Sequence, residues 1–109
     1  MITSVEPQML DEIEEALKDV IDPELGVNVV DLGLIYEYGW DDENNRLVIY
    51  MTLTTAECPL QDDISAQTSA ALEGLVEDHE ISWVWVPAWS PALITDDGRE
   101  MMRALGFNV

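Results

Sequence analysis

Residues 7–21 alternate between apolar and acidic positions with the period of a helix. Apolar residues recur three and four positions apart, with acidic residues and one lysine between them: Leu10, Ile13, Leu17, Val20 and Ile21. A proline in the first turn is compatible with a helix, and Pro23 disfavours helical dihedral angles in the residue before it. The pattern therefore predicts a helix from Pro7 to about Ile21.

Two segments after Pro23 have the pattern of strands. Residues 22–25, Asp-Pro-Glu-Leu, are typical of a turn. Residues 34–40 are rich in Ile, Tyr and Trp, and residues 46–54 place four apolar residues on one face: Leu47, Ile49, Met51 and Leu53. The polar loop between the two segments is short, so they are predicted to pair as an antiparallel hairpin.

The pattern then predicts a helix from about Pro59 to Val76 and a strand in residues 80–89 that ends at Pro87. The tryptophans of this strand region are expected to pack in the core: Trp83, Trp85 and Trp89.

A last helix is predicted from Asp96 to Leu105, with Thr95 as its N-cap and Gly106 at its end. The resulting order, α-β-β-α-β-α, predicts an α/β fold of the α+β two-layer kind, in which helices pack on a small mixed three-stranded sheet. A chain of 109 residues is expected to form one domain over residues 1–109.

Acidic residues dominate the charge of the chain, since 23 Asp and Glu stand against 4 Lys and Arg, for a net charge of −19. Nucleic-acid binding needs cations that face phosphates, and an anionic membrane repels such a chain, so both partners are disfavoured. No apolar run is long enough to span a bilayer, and the first residues lack the pattern of a signal peptide. We therefore expect a cytoplasmic protein.

Two interpretations of this acidity are open. The acids could form a surface for a partner or a metal, or they could reflect adaptation to molar salt, where the Debye length falls to about 3 Å and repulsion is screened. The second is favoured because the acids are spread over the whole chain and Lys18 is the only lysine. We therefore favour the hypothesis that this is an acidic protein of a halophilic host.

Cys58 is the sole cysteine, and it lies between a predicted strand and a predicted helix. With Pro59 as the first helical residue, Cys58 is the expected N-cap, where free backbone N–H groups and the helix dipole favour a reactive thiolate. Nearby acids oppose this effect: Glu57, Asp62 and Asp63. The alternative is an inert cysteine, because free cysteines are most often small buried hydrophobic residues.

One thiol cannot complete a metal site. Iron–sulfur clusters generally need four protein ligands and zinc about four, and the sole histidine, His79, falls in a predicted turn. Any cluster must therefore be transient and shared between two copies in a homodimer, with a partner protein or with a small thiol. No permanently bound cofactor is expected.

Other polar residues are candidates for the surroundings of the thiol. Asp22 and Glu24 lie in the Asp-Pro-Glu turn, and turn formation is their simplest interpretation. Thr54 and Thr55 either end the strand or donate hydrogen bonds to a thiolate or a ligand. Asp31 is expected to cap a local turn.

Four segments together resemble the PaaD-like and SufT-like family of metal–sulfur cluster assembly factors: DPELGVNVVDLGLIY, MTLTTAECPL, VPAWSPALIT and REMMRALGF. The resemblance runs from about Leu10 to Phe107. It implies the α/β fold above and a role in maturing iron–sulfur clusters or delivering them to client or scaffold proteins. It also implies that Cys58 is a cluster ligand in a small pocket with these neighbours: Asp22, Glu24, Thr54, Thr55 and Pro59.

The chain departs from the family pattern at two places. Ala56-Glu57 stands where a small pair such as Pro-Gly precedes Cys-Pro, and the cysteine-bearing C-terminal segment of many PaaD proteins is missing. We therefore expect a short, general-purpose and non-enzymatic assembly or transfer factor. The alternatives are an accessory subunit of a phenylacetyl-CoA-type multicomponent oxygenase and, less favoured because no His lies near the thiol in sequence, a small cysteine-nucleophile enzyme.

Overall fold

The computed structural model describes residues 2–23, 25–53 and 58–107, with the backbone alone for Cys58 and Pro59. In chain order its elements are β1 (Ile2–Thr3), α1 (Pro7–Leu17), β2 (Ile35–Asp41), β3 (Arg46–Met51), α2 (Cys58–Leu72), β4 (His79–Trp83), a 3-10 turn (Pro91–Leu93) and α3 (Asp96–Ala104). The predicted α/β class and the order of its helices and main strands are confirmed.

The strands form one mixed sheet in the order β1-β2-β3-β4. β2 pairs antiparallel with both β1 and β3, and β3 pairs parallel with β4, so α2 is the crossover between parallel strands. The prediction of three strands is wrong by one. β1 contributes only two residues, which is too short to show the alternation by which a strand is recognised.

The core lies between the helices and one face of the sheet. The apolar face that the alternation predicts is buried throughout, along β3 and two residues beyond its end: Leu47, Ile49, Met51 and Leu53. Facing helices bury their own apolar positions in the same cluster: Ile13, Leu17, Leu60, Ile64 and Leu72. Each fully buried side chain of this size contributes about 1.5–3 kcal/mol, so this layer is the main source of stability.

α1 ends at Leu17, earlier than predicted, because the chain beyond it forms an irregular hairpin. Val29 N–H donates to Val20 O at 2.9 Å, and Asp22 N–H donates to Val27 O at 3.0 Å. These hydrogen bonds across the hairpin replace the helical ones. Val20 nevertheless remains buried, as the helical pattern predicts.

The third predicted strand is also shorter than expected, since β4 ends at Trp83. Trp85 is 41% exposed, so its prediction as a core residue is wrong, and it stacks on Trp83 with ring centroids 6.4 Å apart. Trp83 and Trp89 do pack against the core. Among the described residues, no helix has the length and apolar character needed to cross a membrane.

Candidate functional site

The carboxyl ends of β3 and β4 lie side by side because these strands are parallel. β2 begins there too, since Ile35 pairs with Met51. Thr52 N–H donates to Leu34 O, and Val84 N–H donates to Met51 O, each at 2.8 Å. We call the end of the sheet formed by these residues the carboxyl edge. In open sheets, ligands commonly bind outside the carboxyl ends of parallel strands.

Cys58 is the first residue of α2, which follows β3 from the carboxyl edge. The helix thus begins one residue before the predicted start at Pro59, so Cys58 is the first helical residue and not the N-cap that its sequence position predicts. The first-turn backbone N–H groups of any helix have no intrahelical partner, so Cys58 begins an element that can stabilise an anion.

The other predicted pocket residues are described only in part. Glu24, Thr54 and Thr55 lie outside the described residues, as do the side chains of Cys58 and Pro59. Their meeting in one pocket therefore stays a prediction.

Asp22 is fully buried at the start of the Asp-Pro-Glu turn. Its Oδ1 accepts a hydrogen bond from Leu25 N–H at 3.2 Å, and its backbone carbonyl accepts one from Gly26 N–H at 2.8 Å. Gly26 has a φ of +72°, which favours glycine. Burying a carboxyl group is costly unless it is hydrogen-bonded, so the bond from Leu25 N–H to Oδ1 fits the turn role that its position predicts.

α2 holds this turn through Gln67. Gln67 Nε2 donates to Ile21 O, and Ile21 N–H donates to Gln67 Oε1, each at 2.9 Å. Ile21 directly precedes Asp22, so the helix that begins at Cys58 is bonded to the chain that enters the turn. The sequence analysis missed Gln67, because a glutamine on a helix gives no signal of a partner 46 residues away.

Asp31 joins the loop before β2 to α3. Its Oδ2 accepts from Asn28 Nδ2 at 2.7 Å, and its Oδ1 accepts from the Thr95 hydroxyl at 2.8 Å. Asp31 N–H donates to Asn28 Oδ1 at 2.9 Å, so a local turn is present but Asn28 caps it, not Asp31 as predicted. The Asp31 carboxylate instead bonds the side chain of Asn28 and the N-cap of α3.

Aromatic side chains fasten the segment that follows β4. The Tyr36 hydroxyl donates to Pro87 O at 2.8 Å, and Trp89 Nε1 donates to Leu32 O at 2.7 Å. Trp85 and Val86, just before Pro87, are 41% and 84% exposed. An exposed apolar pair therefore follows the carboxyl end of β4 on a firmly attached segment.

His79 lies at the opposite end of the sheet from the carboxyl edge. It begins β4 instead of lying in the predicted turn, it pairs with Leu47 near the start of β3, and its Nε2 is 3.3 Å from Ser69 Oγ. Ser69 comes eleven residues after Cys58 on α2, about 16 Å along the helix axis. His79 is therefore not placed to act as the base for a Cys58 nucleophile.

A cavity of about 660 Å³ lies beside His79, at that distant end. Among the described residues, no three His, Cys, Asp or Glu side chains form a group that could hold a metal ion.

Comparison with known proteins bears on this site. Residues 10–83 match the profile of a family described as iron–sulfur cluster assembly protein. The chain is 42% identical over 88 residues to the Fe-S protein maturation auxiliary factor YitW of Bacillus subtilis, covering 79% of this chain and 85% of that protein. It is 38% identical over 78 residues to the Fe-S protein maturation auxiliary factor SufT of Staphylococcus aureus, covering 70% of this chain and 88% of that protein.

The fold has a solved counterpart. A crystal structure of a domain of unknown function from Bacillus anthracis matches with a TM-score of 0.76 and 36% identity, over 93% of this chain and 94% of that chain. The matched family segment contains Asp22, Cys58 and Gln67.

Proposed function

The chain belongs to the iron–sulfur cluster assembly protein family, and on that basis we propose that it is a non-enzymatic accessory factor in cluster assembly or in cluster transfer to client proteins. Its relatives YitW and SufT are named as Fe-S protein maturation auxiliary factors, which supports an accessory role. The cluster is the cargo in this proposal, and the chain keeps none permanently.

The place of Cys58 in the fold is the observation that carries the proposal. It is the sole cysteine, and it begins α2 beyond the carboxyl edge. The N-terminal end of a helix favours the thiolate, which is the form that ligates iron. A cluster needs about four such ligands, so one held by Cys58 must be completed by a second molecule.

That second molecule is a client protein, a scaffold protein or a second copy of this chain. When the second molecule is the client and already supplies the other ligands, transfer is completed by one exchange at the iron bound to Cys58. The bond from that iron to Cys58 Sγ breaks and a bond to a client cysteine forms, while the proton lost by the client thiol ends on the released Cys58 thiolate. No electron is gained or lost, so the step needs no oxidant or reductant.

The remaining pocket residues support the thiolate in this proposal. Thr54 and Thr55 donate hydrogen bonds to it, and the turn that contains Asp22 and Glu24 forms the opposite wall. Pro59 stiffens the start of the helix, because its ring fixes one backbone dihedral angle near the helical value. The resemblance to the family supports these roles, and Asp22 lies buried at the start of its turn.

Anaerobic cluster reconstitution tests the proposal. Wild type and Cys58→Ala are incubated with ferrous iron and sulfide, desalted, and compared by iron content, sulfide content and visible absorbance. Each is then mixed with an apo ferredoxin. We expect the wild type to hold iron and sulfide and to speed the loading of the ferredoxin, and Cys58→Ala to lose most of both effects.

A relocated thiol is the matched control. The double variant Cys58→Ala, Ala66→Cys carries one thiol on the same helix, at an exposed position. It should behave like Cys58→Ala, because the thiol no longer lies at the helix start. The proposal fails if Cys58→Ala loads the ferredoxin as well as the wild type does. If the relocated thiol is as active as Cys58, the place of Cys58 has no special role.

A further inference from the structure

The side-chain carboxamide of Gln67 is bonded at both ends. Its oxygen accepts from Ile21 N–H, and its nitrogen donates to Ile21 O, both at 2.9 Å. The nitrogen also donates to Asp63 Oδ2, one turn earlier on α2, at 3.1 Å. The first two bonds satisfy both backbone groups of one residue, as a neighbouring strand would do.

The irregular hairpin explains why the backbone N–H and C=O of Ile21 are available to bond Gln67. Val20 and Asp22 direct their backbone bonds across the hairpin to Val29 and Val27. In antiparallel pairing, the residue between two such positions points its N–H and C=O to the other side. Ile21 is that residue, and α2 lies on that side, so Gln67 takes the place of a third strand.

The chain that enters the turn runs along α2 toward the start of the helix. Asp19 lines a cavity of about 280 Å³ with Ala70, Ala71 and Gln67. Two residues later, Ile21 is bonded to Gln67, which is the member of that group nearest to Cys58 in sequence. Nine residues of helix separate Gln67 from Cys58, about 13 Å along the helix axis, and the chain beyond Ile21 turns back at Asp22, whose N–H donates to Val27 O.

We propose that Gln67 is a positioning residue, which sets the place of the Asp22 turn relative to Cys58. Two bonds to one residue prevent both sliding and rotation of the entering chain against α2, whereas apolar packing alone is non-directional. The inference rests on the proposed function only in taking the Cys58 thiol as the functional group of the site.

The variant Gln67→Met tests the inference, because methionine has a similar length and makes none of the three hydrogen bonds. Gln61→Met is the matched control, since it makes the same chemical change on the same helix one turn from Cys58, whereas the backbone groups of Ile21 are bonded to Gln67. Two quantities are measured besides the unfolding midpoint. They are the amide hydrogen exchange of Asp22 and Gly26 in the turn, and the rate constant for alkylation of Cys58 by iodoacetamide.

We expect Gln67→Met to speed exchange at the turn amides by about tenfold, with unchanged exchange in β3. The alkylation rate of Cys58 should move about threefold or more toward the rate of the same chain unfolded in urea, because the surroundings of the thiol are loosened. Gln61→Met should leave both quantities at wild-type values. If Gln67→Met does not fold, Gln67→Glu takes its place, since it keeps the acceptor for Ile21 N–H and loses the donors.

Three results would overturn the inference: an unchanged alkylation rate in a folded Gln67 variant, an equal change in Gln61→Met, or a wild-type rate already equal to that of the unfolded chain. Alkylation needs no cluster, so it separates this inference from the proposed function. If the wild type binds no iron, and Gln67→Met still shows the expected change in alkylation rate, the proposed function is refuted and the role of Gln67 as a positioning residue stands.

Discussion

The Thr95 hydroxyl donates a 2.8 Å hydrogen bond to Asp31 Oδ1, and the Thr95 backbone N–H donates to the Asp31 carbonyl at 2.9 Å. The same hydroxyl accepts from Gly98 N–H at 3.0 Å and so caps α3. The Thr95 side chain therefore caps the N-terminus of α3 and also bonds that helix to the loop before β2, 64 residues away in the chain. The loop before β2 and the start of α3 are therefore held together by two hydrogen bonds.

This relationship predicts strong coupling between the two residues. Thr95→Val removes the cap and the bond to Asp31, and should lower the free energy of unfolding by about 2 kcal/mol. Asp31→Ala should cost about 2–4 kcal/mol, because it leaves buried donors without their acceptor. In a double-mutant cycle by urea unfolding, the coupling energy should be about 1–2 kcal/mol. Additive losses would show that the bond contributes nothing. Asp11→Ala, on the exposed face of α1, is the control and should show no coupling to Thr95→Val.

Gly33 should tolerate no side chain. It has a φ of +74°, and an added Cβ would overlap the backbone carbonyl and Cβ of Leu93. Gly74 is the matched control, since it has a φ of +82° with nothing within 4 Å of an added Cβ. Gly33→Ala should therefore cost about 3 kcal/mol or more, and Gly74→Ala about 1 kcal/mol, which is the backbone strain alone. Equal losses in urea unfolding would contradict the close approach of Leu93.

Tyr38 should make the fold sensitive to alkali. Burial, and to a lesser extent the nearby Glu14 carboxylate, raise the pKa of Tyr38 above its ordinary value of about 10. The folded chain then holds this proton more tightly than the unfolded chain does. The contribution to stability is therefore intact below pH 10 and is lost as the pH rises toward the raised pKa.

The variant Tyr38→Phe should remove this alkaline loss. At neutral pH it should change stability by about 0.5 kcal/mol or less, because the Tyr38 hydroxyl is buried with no hydrogen-bond partner among the described residues. Tyr36→Phe is the control: it loses the bond to Pro87 O, so it should cost about 1 kcal/mol at neutral pH and keep the alkaline loss. An unchanged alkaline slope in Tyr38→Phe would refute the prediction.

Salt should stabilise the chain. Basic residues form ion pairs such as Lys18–Glu15 at 3.6 Å and Arg46–Asp78 at 3.4 Å. With 4 basic residues against 23 acidic ones, most of the negative charge is left unbalanced. If the acidity reflects a high-salt host, the melting temperature should rise by about 5–10 °C between dilute buffer and 2 M KCl, because screening relieves self-repulsion. Equal melting temperatures would count against this hypothesis.

A variant with less charge checks the physical cause. Neutralising four exposed acids on α1 and after α2 should flatten the dependence on KCl: Asp11→Asn, Glu12→Gln, Glu73→Gln and Glu77→Gln. If the slope stays the same, the salt effect comes from something other than repulsion between these side chains.

Local patterns predicted most of the fold, because helices and strands impose different periods on buried positions. The alternation from Leu47 to Leu53 names the buried face of β3, and Thr95 and Gly106 bound α3 as their types predict. The pattern failed where an element is too short to repeat, as in β1. It also failed where apolar residues continue beyond the element, as at Trp85, which an apolar run cannot distinguish from a core position.

The candidate site divides in the same way. The sequence by itself determined that one thiol stands at the start of the middle helix and that Asp22 opens a turn, because both follow from neighbouring residues. Only the tertiary structure decided that Gln67 meets Ile21, that Asp31 meets Thr95, and that His79 stands far from Cys58. Those relationships depend on strand order and on the parallel direction of β4, which are set by packing across the whole core, and local periodicity holds no information about either.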